Sequence, residues 1–128
     1  MPEGAIVIRG GMLASARDLA GDAQDCFDWL ERRGEAGVYG ISVGSLPDGT
    51  ADQIARALGT DRLPHPRMRI STVAALRGCG CEVVPSGRRG HATLIFGDAP
   101  TDEDWKNLQA AFSEEADNPV ARKPRSGR

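Results

Sequence analysis

The apolar positions of the chain fall into short blocks, and their period changes from block to block. Ala5-Ile6-Val7-Ile8 is a continuous, mostly β-branched run between Gly4 and Gly10-Gly11, the pattern of a buried strand. Met12 to Leu19 then reads as a short helix, and Asp22 as the N-cap of a second helix in which Cys26, Trp29 and Leu30 share the apolar face. Arg32-Arg33-Gly34 supplies the positive charge and the left-handed glycine of a helix end. Val38 to Val43 is the next strand, and Leu46-Pro47-Asp48-Gly49 is a turn. Thr50 caps a helix with Ile54 and Leu58 inside and Gly59 as its stop.

Leu63-Pro64-His65-Pro66 is a connector, because each proline removes a donor and disfavours helix in the residue before it. Arg67 to Ile70 alternates polar and apolar, after which Ser71 caps a short helix containing Val73, Ala74 and Leu76 and closing at Gly78 and Gly80. Cys81 to Pro85 and His91 to Phe96 read as two strands of a hairpin joined by the glycine-bounded loop Ser86 to Gly90. In the second strand Ala92, Leu94 and Phe96 share one face and His91, Thr93 and Ile95 the other. Thr101 caps a last helix with Asp102, Glu103 and Asp104 in its first turn and Trp105, Leu108 and Phe112 on its core stripe. These elements predict an α+β fold, a small mixed or antiparallel sheet against three or four helices, in one domain over residues 1–116. Residues 117–128 are polar, hold two prolines and read as a disordered basic tail.

At 128 residues the chain has room for one compact domain. No apolar run reaches the roughly 18 to 20 residues that cross a bilayer, and no signal-peptide pattern opens the chain, which points to a cytoplasmic protein without a membrane partner. Three cysteines are too few for a disulfide framework. The net charge of −2 conceals an alternation along the chain. Residues 61–92 carry six arginines against two acids, net +4, whereas residues 93–119 carry one lysine against seven acids, net −6. A basic face drawn from Arg62, Arg67, Arg69, Arg77, Arg88 and Arg89 would steer an anion even though the whole chain is slightly acidic.

His91 is the candidate reactive group. It opens a strand at the rim of Gly87-Arg88-Arg89-Gly90, so an imidazole is held near guanidinium groups suited to phosphate. The segment 67–96, with Met68-Arg-Ile-Ser-Thr-Val-Ala-Ala-Leu-Arg77, Gly80-Cys-Glu-Val-Val84 and Gly90-His91 before a strand, resembles the HicA-type toxins of bacterial toxin–antitoxin systems. That family has a fold similar to a double-stranded-RNA-binding domain, and its turn histidine is the ribonuclease residue. The resemblance implies a catalytic His91, RNA as substrate and an acidic antitoxin as protein partner. Cys81 stands where the family has an aromatic residue, and Gly90 where it has serine before the histidine. Arg67, Arg69, Arg88 and Arg89 are the expected phosphate-holding residues.

Two rival readings belong to other classes. A strand ending in Arg9-Gly10-Gly11 and the later Tyr39-Gly-Ile-Ser-Val-Gly-Ser45 look like the arginine and serine signatures of ADP-ribosyltransferases, which implies NAD bound through Arg9 and Ser42. A non-catalytic interaction module would instead use the acidic last helix and the basic tail. Cys79-Gly80-Cys81 is spaced too tightly for a zinc knuckle and lacks a second ligand pair, so no metal is expected. No P-loop, dinucleotide fingerprint, Gly-x-Ser-x-Gly elbow or DNA-binding motif occurs, and the leading reading needs no cofactor.

Overall fold

Val7 is paired on one side with Ser45 and on the other with Ser71, so the first strand of the chain is an interior strand of the sheet. In the computed structural model, which describes residues 1–10 and 16–120, the element order is β1 (Ile6–Gly10), α1 (Ala16–Arg32), β2 (Tyr39–Leu46), α2 (Ala51–Arg62) and β3 (Arg67–Thr72). It continues with α3 (Val73–Gly78), β4 (Glu82–Pro85), β5 (His91–Phe96), α4 (Asp102–Ala111) and β6 (Glu114–Asp117). The six strands form one sheet in the order β4-β5-β2-β1-β3-β6, with every neighbouring pair antiparallel. The fold is α+β, and no described helix is long and apolar enough to cross a membrane.

Both faces of the sheet carry apolar side chains, which is why β1 reads as a continuous run and not as an alternation. Val7, Ile41, Val43, Ala92 and Leu94 join Leu76 of α3, Leu108 of α4 and Phe112 at its C-cap in one cluster. Ile8 and Met68, turned the other way by the strand period, pack with Ile54, Ala55 and Leu58 of α2 in a second. Gly44 lies beneath that helix, and a Cβ there would come within 2.6 Å of Leu58 Cδ1 and 2.9 Å of Ile54 Cγ2. Paired with Ile6, Val7 and Ile8 of β1 through Leu46, Ser45 and Gly44, β2 runs beyond Val43, the end its sequence suggests, to Leu46.

Several boundaries depart from the sequence pattern. Ala16–Arg32 is a single helix, so Asp22 is an interior residue and not a cap; Leu19 and Ala23 on one buried stripe carry the helix through Gly21. Trp29, expected on the core stripe, is 49% exposed. Gly59 does break α2, at φ +74°, but the chain resumes helical turns to Arg62 before Leu63 enters the core. The cap of α3 is Thr72, whose hydroxyl accepts from the Ala75 amide at 3.2 Å, while Ser71 is turned into the sheet. The polar stretch 114–117 is the edge strand β6, and Asn118 after it is fully buried, so the ordered chain runs past residue 116. Residues 121–128 of the expected tail lie outside the described residues, as do residues 12–15 of the first expected helix.

Candidate active site

The Ser86–Gly90 loop is tightened by Gly87 and Gly90, both in the left-handed region at φ +65° and +91°. Gly90 lies so close to α2 that a Cβ on it would sit 2.8 Å from Ala57 Cβ, and its carbonyl accepts from the Ser45 amide at 2.9 Å. The hairpin is therefore fixed against both β2 and α2. His91 is pinned at its mouth, its amide donating to the Arg88 carbonyl at 2.9 Å and its carbonyl accepting from the Ser86 amide at 3.1 Å.

The imidazole is oriented as firmly as the backbone. Nδ1 lies 3.0 Å from the Ser86 carbonyl oxygen and 3.0 Å from Ser86 Oγ, and Ser86 Oγ lies 2.8 Å from Thr93 Oγ1. A carbonyl oxygen only accepts, so a proton on Nδ1 satisfies the Ser86 carbonyl, and in that tautomer the lone pair of the neutral ring is on Nε2. A half-buried histidine with Nδ1–H held by a main-chain carbonyl is oriented to accept a proton through Nε2.

His91, Ser86 and Gly87 line two grooves at once. On one side a groove of about 800 Å³ runs between β2, β5 and the exposed face of α1, where Asp25, Cys26, Asp28, Trp29 and Arg32 form the opposite wall. The indole of Trp29 is capped by the Arg33 guanidinium, 4.4 Å from the ring centroid. On the other side a groove of about 390 Å³ passes Arg88 and Arg89 towards Leu46 and Pro47. His91 thus stands between an aromatic, partly acidic wall and an arginine-bearing one.

The expected phosphate-binding arginines divide into two groups. Arg88 and Arg89 are exposed on the same loop as His91. Arg67 and Arg69 are not with them, because β2 and β1 separate β5 from β3 by three strand spacings, about 14 Å. Cross-strand register aligns His91 with Gly44, Ile8 and Ile70, which puts Arg69 and Arg67 on the opposite face. There Arg67 pairs with Asp117 at 2.7 Å, and Arg69 with Glu115 at 3.8 Å and the Phe112 carbonyl at 3.1 Å. Arg77 is likewise engaged, by Glu82 at 3.1 Å and Glu3 at 3.7 Å. The net +4 segment is therefore not one basic face.

Arg9 and Ser42 do meet, in a pocket of about 250 Å³ next to the Trp29 groove. Arg9 Nη1 donates to the Ser42 carbonyl at 2.7 Å and Nη2 lies 3.6 Å from Asp22. Burial draws the guanidinium below its ordinary range, and Asp22 opposes that shift. The acids facing this pocket, Asp22 and Asp25, come from α1 and not from a strand. Burial pushes the Cys81 thiol up to about 12 and raises Cys79 as well, so this pair forms part of the packing. Among the described residues no cluster of three or more metal-ligating side chains occurs.

Sequence reasoning missed Trp29, Arg32, Ser86 and Thr93. The alternation of β5 already put Thr93 beside His91, but nothing local brings α1 to that face. Comparison with protein-family models, with curated proteins and with solved structures finds no match for this chain.

Proposed function

We propose that the protein is a small cytoplasmic RNA-acting enzyme, a toxin-like ribonuclease, with His91 as its general base. The observation that carries this reading is the imidazole of His91, held with Nδ1 3.0 Å from the Ser86 carbonyl oxygen, at the meeting point of an arginine-bearing groove and a groove walled by an exposed tryptophan. Exposed aromatic rings stack single-stranded bases, and guanidinium groups hold the phosphates between them. In the proposed step Nε2 takes the proton of a ribose 2′-hydroxyl, and the 2′-oxygen attacks the adjacent phosphorus. The bond from phosphorus to the 5′-oxygen breaks, that oxygen takes a proton from solvent, and a 2′,3′-cyclic phosphate and a 5′-hydroxyl end result. Arg88 lies on the same loop and would stabilise the charge on the phosphoryl oxygens. An acidic antitoxin covering Arg88 and Arg89 would silence it.

The test is cleavage of an end-labelled RNA of mixed sequence by the wild type, His91→Ala and His91→Gln, with folding checked by circular dichroism. A general base accounts for about 10²- to 10⁴-fold in rate, so both variants should lose at least about 100-fold while melting like the wild type. Intact RNA with the wild type, or undiminished cleavage by a folded His91→Ala protein, would overturn the assignment. The exposure of Trp29 in a groove it shares with Asp25 and Asp28 favours a second reading, a non-catalytic module that docks a protein there. That reading is supported by RNA left intact together with a partner whose binding is lost on Trp29→Ala.

A further inference from the structure

We infer that a single-stranded RNA chain passes beyond His91 over the turn joining β2 to α2, where Arg89 and Arg56 hold the phosphates of nucleotides outside the scissile bond. The chemistry rests on the ribonuclease reading; the surface does not. A third groove, of about 690 Å³, lies between that turn and the hairpin, with Arg56, Arg89 and Gln53 on its sides. It shares Arg89, Leu46 and Pro47 with the groove that reaches His91, so the three grooves adjoin one another from Trp29 past the imidazole to α2.

Charge and rigidity both fit a polyanion. The ion pairs among the described residues engage Arg9, Arg33, Arg67, Arg69 and Arg77, whereas Arg56, Arg88 and Arg89 take part in none of them. Asp48 is the one carboxylate lining this third groove. The packing of Gly90 on Ala57 fixes the hairpin, and with it Arg89, relative to the helix that bears Arg56. Guanidinium groups on a preorganised frame bind successive phosphates with little ordering cost, and apolar Leu46 and Ala57 between them suit sugar and base edges. The inference makes the substrate an RNA of several nucleotides, and not a free mononucleotide.

Binding of a labelled twelve-nucleotide RNA is measured by fluorescence anisotropy against salt concentration on the His91→Ala protein, which holds RNA without cutting it. Arg56→Ala and Arg89→Ala should each weaken binding several-fold and lower the slope of log affinity against log salt by about 0.7. Arg62→Ala, an exposed arginine outside all three grooves, should leave the slope unchanged. In the wild-type background Arg56→Ala should slow cleavage of the long RNA and not of a dinucleotide. Unchanged slopes, an equal loss on Arg62→Ala, no RNA binding at low salt, or an acidic peptide bound through Arg56 where RNA is not would each overturn the track. Failure of cleavage with arginine-dependent binding intact would remove the catalytic reading alone.

Discussion

Asn118 shows how much one buried polar side chain contributes to the closing of this fold. Its amide nitrogen donates to the carbonyls of Leu63 at 2.8 Å and His65 at 2.9 Å, and its Oδ1 accepts from the Val120 amide at 3.1 Å. Its own amide donates to the Pro66 carbonyl at 2.9 Å. One residue thus satisfies the carbonyls of a proline-broken connector that has no ladder to join. Asn118→Ala leaves a buried carbonyl at Leu63 and a part-buried one at His65 without a donor, and we expect it to cost about 1 to 3 kcal/mol, read as a lower urea midpoint at unchanged slope. Nothing in the local sequence marks this role, because Asn118 precedes Pro119 in a polar, acid-rich stretch that reads as tail. His91 is the opposite case. Its place at a strand start beside glycines and arginines was legible, whereas the Ser86 and Thr93 network that orients its ring follows from the hairpin's geometry.

Helices with strong caps were the most legible elements. Both Thr50 with Gln53 and Thr101 with Asp104 form reciprocal capping boxes, and each lies where the pattern of a cap followed by an apolar stripe predicts it. β6 was illegible for a physical reason. Apart from Ala116 it is held by backbone pairing with β3 and by carboxylates facing Arg67 and Arg69, none of which leaves an apolar period. The tie between α3 and β4 is also ionic. Arg77 holds the Glu82 carboxyl below its ordinary range chiefly through their hydrogen bond. A carboxyl with a lowered folded value adds stability above its unfolded value and loses it as the pH falls through the folded one. Glu82→Gln should therefore melt below the wild type at neutral pH, and the two melting temperatures should converge as the pH falls below 4.5.

For the whole molecule, strand order is the property that no local signal carries. β1 lies between β2 and β3, and the hairpin β4–β5 attaches to β2, so residues 67–96 are split across the sheet with two strands between their parts. This separates Arg67 and Arg69 from His91, and it also brings α1, with Trp29, to the side of His91. The same order leaves β3 an open edge until β6 pairs with it. A chain ending at Ser113 would expose the backbone edge of Arg67 to Ile70, and size-exclusion chromatography should show it as aggregate or dimer where the full chain is monodisperse.

The position of β6 also sets a schedule for synthesis. A chain emerging from a ribosome can form β1, β2 and β3 early, but the edge beside β3 waits for residues 114–117 and for Asn118 behind them. Residues 114–118 must leave the exit tunnel before the sheet is sealed. This acidic strand then acts as a latch, and a ribosome that stops before residue 114 releases a protein whose open side is ready to join another.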